Sequence, residues 1–332
     1  MIGQGILFTV LSGIANGLFT TPMKLIPGWK WENIWLIFIL TACLLMPAFM
    51  VAITVGDPRP VFEASPTNAL FAALTFGFIW GFGAILFGLS VDRLGVSVAN
   101  SLVIGISSAL GSLVPLMLGG TLRFETRQIL LFLGIAAFLV GVMLCGAAGK
   151  MREASTSVRP SSTGLFFAAG AGVLSAIFNI GYSLALPIAA AGEQRGLSNF
   201  AATNCIWLLM LAAGSIPNIA FCLHLARKNE SLPLFMNAAP SRGFSLSGVM
   251  GLLWGGSIFL YGAATPLLGD IGPSIGWPLS LAVALLLANT MGVVLGEWKS
   301  APQIAHRRMI AGIAVLLVAV VLCATSAGQG KA

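Results

Sequence analysis

The sequence predicts an all-α membrane protein with ten transmembrane helices, arranged as two inverted repeats of five helices each. Three observations lead to this fold class. The composition is too apolar for a water-soluble domain, ten apolar runs are long enough to cross a bilayer, and the two halves of the chain share a pattern of glycine and tryptophan.

The composition excludes water as the main solvent of this chain. Hydrophobic residues make up 58% of it and charged residues only 8%, with a mean hydropathy of +0.97, whereas soluble domains carry about 25% charged residues. The formal net charge is +7, but the Lys and Arg residues are scattered between apolar runs. Because nucleic-acid binding needs a clustered basic face, we expect a lipid bilayer as the partner of this chain and no nucleic acid.

The apolar runs define ten spans, since a helix needs roughly 20 apolar residues to cross the hydrocarbon core. The runs lack the alternation of barrel strands, so helices are the expected spanning element. Numbered from span 1 to span 10 in chain order, the runs cover residues 3–20, 33–55, 68–91, 96–118, 129–148, 164–191, 200–225, 244–268, 275–295 and 309–325.

The loop charges predict the orientation in the membrane. Most of the 17 Lys and Arg residues lie on the side opposite the N-terminus, with groups at 150–159, 227–242 and 299–308. Cytoplasmic loops carry the excess of Lys and Arg. We therefore expect a multi-pass protein of a bacterial inner (plasma) membrane with both termini in the periplasm.

An internal repeat relates the two halves. Residues 77–81 of span 3 read Gly-Phe-Ile-Trp-Gly, and residues 251–255 of span 8 read Gly-Leu-Leu-Trp-Gly. Five spans separate the copies, and this odd number inverts the second copy across the membrane. Inverted repeats are typical of alternating-access transporters with a site between the halves. The predicted division is a first repeat at 1–149, a cytoplasmic linker at 150–163 and a second repeat at 164–332.

Polar and aromatic side chains within the spans predict a site for a neutral polyol. Spans 5 and 10 have almost no polar side chains and are expected to serve as scaffold. Hydroxyls and amides bind the hydroxyls of a sugar, and aromatic faces stack on its C–H side. Each candidate has an alternative role in bridging helices or anchoring at the interface. The substrate-binding candidates are Asn16, Trp80, Asn100, Ser107, Asn179, Tyr182, Asn204, Trp254, Tyr261, Trp277 and Asn289.

The sequence carries no pattern typical of an enzyme. It has no glycine-rich phosphate loop, Ser-His-Asp set or cluster of metal-ligating residues. Its five cysteines lie inside apolar runs without metal-binding spacing; they are Cys43, Cys145, Cys205, Cys222 and Cys323. We expect no catalytic residues, no cofactor and no bound metal.

Several short motifs resemble one known family. The opening stretch at 19–24, Phe-Thr-Thr-Pro-Met-Lys, is followed by Trp29, Trp31-Glu32 and Trp35. Later matches are Trp80-Gly81, Gly88, Leu94-Gly95, Gly105-Ile106, Gly111, Pro115, Ser175-Ala176, Gly251 to Trp254, Tyr261-Gly262, Trp277 and Leu295 to Trp298. This pattern resembles the L-rhamnose/proton symporter family, a branch of the drug/metabolite transporter superfamily. The resemblance implies a ten-helix inverted-repeat fold and alternating-access import of L-rhamnose or a related 6-deoxy sugar with protons.

The proton-coupling group is harder to place, because no carboxylate lies in the middle of a span. The candidates lie near the predicted cytoplasmic ends of spans and are Asp92, Glu297, Glu32 and Lys24. Their alternative role is simple ion pairing at the interface. Sodium stays open as the coupling ion, an exporter of the same superfamily stays open as the function, and the assembly is a monomer or a homodimer.

Overall fold

A computed structural model describes residues 2–94, 96–120, 123–153, 162–294, 296, 298–299 and 301–329. These residues are helical almost throughout and form no strand. Ten of the helices are long and apolar enough to cross a membrane, so the ten predicted spans are confirmed. Most of the predicted cytoplasmic linker, residues 154–161, lies outside the described residues.

Several helices of the spans extend a few residues beyond the apolar runs, whereas those of spans 1 and 8 end a few residues before them. Span 10 is predicted from residue 309 but begins at Gln303, and span 5 continues to Glu153. Apolar residues are required only inside the hydrocarbon, whereas a helix can continue through the polar interface. The helices of the ten spans are Ile2–Leu18, Trp31–Thr54 (in three segments), Thr67–Leu94, Val96–Leu118, Thr126–Glu153, Ser162–Gln194, Asn199–Lys228, Pro240–Ala264, Gly272–Val294 and Gln303–Gly328.

Span 2 contains a π-helical turn that the apolar pattern does not predict. The turn covers Leu40–Leu45 and lies between the α-helical segments Trp31–Ile39 and Met46–Thr54. The backbone N–H of Met46 donates to the carbonyl of Thr41, five residues earlier. The next residue, Pro47, has no N–H to donate, and a widened turn is one way in which a helix adapts to such a break.

Short helices occupy the connections. The 3₁₀ helix Thr21–Leu25 follows span 1, and a second, Thr265–Leu268, follows span 8. Two short α-helices, Arg59–Ala64 and Leu234–Asn237, lie in the connections after spans 2 and 7.

The chain divides into two compact units, and unit 1 comprises Met1–Gly17, Gly83–Ile180 and Ala264–Ala332. Spans 5 and 10 pack antiparallel in this unit. Three glycines permit the close approach, since a Cβ on each would press into a residue of the other helix. The pairs are Gly134 with Cys323, Gly141 with Leu316, and Gly312 with Cys145. The expectation that these spans form a scaffold agrees with this packing.

Unit 2 comprises Leu18–Phe82 and Gly181–Ala263. Here the glycines of the repeated motif lie at close helix contacts. Gly77 of span 3 meets the backbone of Met210 in span 7, and Gly251 of span 8 meets Thr41 in the π-helical turn. Each unit draws helices from both predicted repeats, so the inverted repeat and its boundaries stay predictions.

Candidate functional site

Two predicted substrate-binding tryptophans stack on each other in unit 2. The rings of Trp80 and Trp254 have centroids 5.4 Å apart and planes inclined by 9°. The ring of Phe38 approaches Trp254 edge-on at 5.9 Å. Both tryptophans are half-buried, so part of the indole surface stays open to a ligand.

Gly214 of span 7 sets the position of the Trp80 ring. A Cβ on Gly214 would lie 2.6 Å from Cε3 of Trp80, which is inside van der Waals contact. The absence of a side chain therefore lets the indole lie directly on the backbone of span 7.

A buried amide that the sequence analysis did not select supports this arrangement. The Nδ2 of Asn218 donates to the carbonyl of Gly81 at 2.9 Å and to that of Gly214 at 3.0 Å. Its Oδ1 accepts from Nε1 of Trp35 at 3.3 Å. Asn218 thus ties spans 2, 3 and 7 together beside Trp80. The available sequence signal was an amide within an apolar run.

Three aromatic residues form a second, fully buried cluster in unit 2. Tyr182 and Trp207 stack with centroids 4.4 Å apart and planes inclined by 3°. Tyr261 lies 5.7 Å from Tyr182 and 6.3 Å from Trp207. The hydroxyl of Tyr182 donates to the carbonyl of Gly262 at 3.4 Å. All three side chains are enclosed by protein, so their substrate role stays a prediction.

The side chain of Asn204 has an unpaired hydrogen-bond acceptor in the interior of unit 2. Its Nδ2 donates to Oγ1 of Thr54 at 3.0 Å, while its Oδ1 is buried without a hydrogen-bond partner. A buried acceptor without a partner costs about 1–3 kcal/mol. A donor from a ligand hydroxyl or a water would remove that cost.

The other predicted residues lie in unit 1, where two of them join helices. Nε1 of Trp277 donates to the carbonyl of Ser107 at 3.1 Å and lies 3.3 Å from the hydroxyl of Ser107. The Nδ2 of Asn179 donates to the carbonyls of Gly111 and Pro273 at 2.8 and 3.1 Å. Asn179 and Ser107 are buried, whereas Trp277 is half-buried.

Three further amides in unit 1 are half-buried: Asn16, Asn100 and Asn289. In span 1, Asn16 lies between Gly13 and Gly17, two glycines that meet the backbone of span 9. The Nδ2 atom of Asn289 is buried without a hydrogen-bond partner, so this amide also has capacity for a polar ligand.

Among the proton-coupling candidates, Glu32 is the best defined. Its side chain is only 4% exposed, and it is the one buried carboxylate among the described side chains. Oε1 of Glu32 accepts from Nδ2 of Asn229 at 3.0 Å and from the hydroxyl of Ser231 at 2.8 Å. Lys24 is exposed. Glu297 and the side chain of Asp92 lie outside the described part of the chain.

The described residues contain no group of three or more His, Cys, Asp or Glu that could hold a metal ion. The five cysteines are all buried as free thiols.

Comparison with known proteins identifies relatives along the whole chain. The family model described as L-rhamnose-proton symport protein (RhaT) matches residues 1–332. A protein named L-rhamnose-proton symporter from Citrobacter koseri is 26% identical over 344 residues, covering 100% of this chain and 98% of its own. Proteins of the same name from Cronobacter sakazakii and Salmonella newport are 25% and 24% identical, with the same coverage.

A solved crystal structure supports the fold alone. It superposes with a TM-score of 0.56 at 14% identity and covers 94% of this chain and 96% of its own.

Proposed function

We propose a function for this chain on the basis of its family, since the chain belongs to the L-rhamnose-proton symport protein family. The family is one of transporters and not of enzymes, and the ten apolar helices make the chain a multi-pass protein of the bacterial inner membrane. We propose that it imports L-rhamnose or a related 6-deoxy sugar in symport with protons. The full-length family match carries this proposal.

The composition of the candidate site supports a neutral sugar as substrate. Its accessible members are indoles and amides, and none of the eleven predicted residues carries a charge. The half-buried faces of Trp80 and Trp254 suit the apolar side of a sugar ring, including the methyl group of a 6-deoxy sugar. Within unit 2, the free acceptor of Asn204 suits a sugar hydroxyl.

Transport by alternating access is the proposed mechanism. Glycines at the contact of spans 3 and 7, such as Gly77 and Gly81, lie against the backbone of the neighbouring helix at Met210 and Gly214. Such contacts allow helices to slide or rock, as the inverted-repeat mechanism requires. We further propose periplasmic termini, from the loop charges, and a monomer or homodimer as the assembly.

For proton coupling we propose the carboxylates near the predicted cytoplasmic span ends. Glu32 is the first candidate for the proton-carrying group because its side chain is buried, and a buried carboxylate in a membrane protein is typical of a proton pathway. Asp92 and Glu297, with Lys24 nearby in the predicted topology, are the other members of this proposal.

Reconstitution tests the function directly. Proteoliposomes with an inward proton gradient should accumulate L-rhamnose, and a protonophore should abolish accumulation. L-Mannose, which differs only by a 6-hydroxyl, serves as the matched control ligand and should be accumulated poorly. Uptake that follows a sodium gradient instead would replace the proton assignment. Failure of counterflow exchange would indicate a passive pore.

A further inference from the structure

Three side chains meet at one end of spans 5 and 10 in unit 1. Trp298 is only 4% exposed. The guanidinium carbon of Arg152 lies 5.0 Å from its ring centroid, and the ring of His306 lies 5.9 Å away at an angle of 68°. A cation held over an indole face keeps its charge and is fixed in place. This end is the one predicted to face the cytoplasm.

The register of the two helices places further cations at the same end. The contacts of Gly141 with Leu316 and of Gly312 with Cys145 define an antiparallel seam. Continued by one turn, the seam reaches Ala148 and Met309, which are buried in the same apolar core as Trp298. One turn further lies the basic end, which we define as Lys150, Arg152, Lys299, Arg307 and Arg308. These five cations outnumber the two acids of the same segments, Glu153 and Glu297.

The helix dipole adds to this positive potential. Span 10 begins at Gln303, so Arg307 and Arg308 lie in its first two turns, and the preceding Pro302 makes no side-chain cap. The first turn of a helix carries partial positive charge and free N–H groups, and these add to the positive charge of the two arginines one turn further on. No ion pair between described side chains engages Arg307 or Arg308. An external anion would compensate both sources of charge.

A stripe of exposed apolar side chains leads away from the basic end. On span 10, Ile304, Arg308 and Val318 lie on one flank of the seam and are exposed. On span 5, Leu133 and Val140 lie on the corresponding flank and are exposed as well. Both helices are right-handed with 3.6 residues per turn. In an antiparallel pair, residues at the same angular offset from the seam therefore lie on the same side of the pair. Arg308 therefore lies at the head of this exposed apolar stripe.

We propose that the basic end binds the headgroup phosphate of an anionic phospholipid, whose acyl chains lie along this stripe. The ligand must combine a negative head with apolar tails to match both features. A phosphate is also a suitable partner for the planar guanidinium groups of Arg308 and Arg307. This site is independent of the proposed sugar transport.

Lipid titration of the purified full-length protein in detergent tests the proposal. Phosphatidylglycerol should raise the melting temperature at a concentration at least tenfold below that needed with phosphatidylcholine of the same acyl chains. The double variant Arg307→Gln/Arg308→Gln should weaken the phosphatidylglycerol effect roughly 20-fold. Arg227→Gln/Lys228→Gln, which removes two exposed cations at the end of span 7, should leave it unchanged.

Three results would overturn the proposal. The first is equal stabilisation by the two lipids. The second is retained affinity in the Arg307/Arg308 variant, or an equal loss in the control variant. The third is the same thermal shift with inorganic phosphate alone, which would identify a free-anion site. L-Rhamnose binding measured in the same Arg307/Arg308 variant should be unchanged, which separates this site from the transport function.

Discussion

Trp80 and Trp254 hold matching positions in the two predicted repeats, and their rings stack within 9° of parallel at 5.4 Å. The pairing brings span 3 and span 8 together through side chains that the sequence analysis assigned to substrate. Each ring uses one face for its partner. A sugar would therefore contact the remaining exposed surface of the pair rather than enter between the rings, since Trp80 also lies against span 7 at Gly214.

Replacement of either tryptophan should weaken sugar binding. Trp80→Ala or Trp254→Ala should raise the Kd for L-rhamnose roughly 2- to 12-fold, since a stacking contact contributes about 0.5–1.5 kcal/mol beyond area burial. Isothermal titration of purified protein measures this. Phe78→Ala, on an exposed ring of the same span, is the control. If both tryptophan variants bind L-rhamnose with wild-type affinity, the pair only packs the helices and does not bind the sugar.

The sequence predicted the ten spans because hydropathy and length suffice for that purpose. It placed their ends too early or too late, since helices such as span 10 continue into the interface from Gln303. The π-helical turn at Leu40–Leu45 was missed because every residue there is compatible with an ordinary apolar helix. The local sequence signal for an irregular turn was Pro47.

The candidate site was predictable in residue type but not in pairing. Tryptophans and amides within spans indicated a polar-aromatic site, yet the sequence could not reveal that Trp80 stacks on Trp254. Asn218 was missed because its partners, the carbonyls of Gly81 and Gly214, are backbone groups that no side-chain pattern displays.

Gly262 should be intolerant of a side chain. A Cβ there would overlap Nε1 of Trp207 and push apart the stack with Tyr182. Overpacking of this kind costs about 1–3 kcal/mol, so Gly262→Ala should lower the melting temperature by several degrees. Gly248→Ala in the same helix meets open space and should be neutral or slightly stabilising. Equal melting temperatures for the two variants would contradict the close packing.

Loss of the Asn218 amide should destabilise unit 2. Asn218→Ala leaves the carbonyl of Gly81 and Nε1 of Trp35 without this partner, at a cost of about 1–3 kcal/mol. Thermal unfolding in detergent should show a lower melting temperature, and sugar affinity should fall with the loosened Trp80. Asn237→Ala, at an exposed amide, should change neither. An unaltered melting temperature for Asn218→Ala would refute the bridging role.

Glu32→Gln should separate proton coupling from sugar exchange. The amide keeps an Oε1 acceptor for Asn229 and Ser231 but cannot titrate. If Glu32 carries the proton, gradient-driven accumulation of L-rhamnose disappears while counterflow exchange persists. Glu230→Gln, at an exposed acid of the adjoining connection, is the control.

The same assay applies to Asp92→Asn and Glu297→Gln. Proton symport through this set needs at least one titratable carboxylate among them, so normal accumulation in all three variants would exclude the proposed set. A variant that loses exchange as well as accumulation has lost sugar binding or folding, which ligand-dependent thermal shift distinguishes.

Both termini should lie outside the cytoplasm, because ten spans return the chain to its starting side and the basic loops mark the opposite side as cytoplasmic. The five native cysteines are buried, so background labelling by thiol reagents should be low. Gln4→Cys and Gln329→Cys, both at exposed positions, should react with a membrane-impermeant maleimide in spheroplasts. Lys228→Cys should react only after permeabilisation, since the positive-inside rule puts its loop in the cytoplasm. Labelling of one terminus alone would require an odd number of spans, and labelling of Lys228→Cys alone would reverse the orientation.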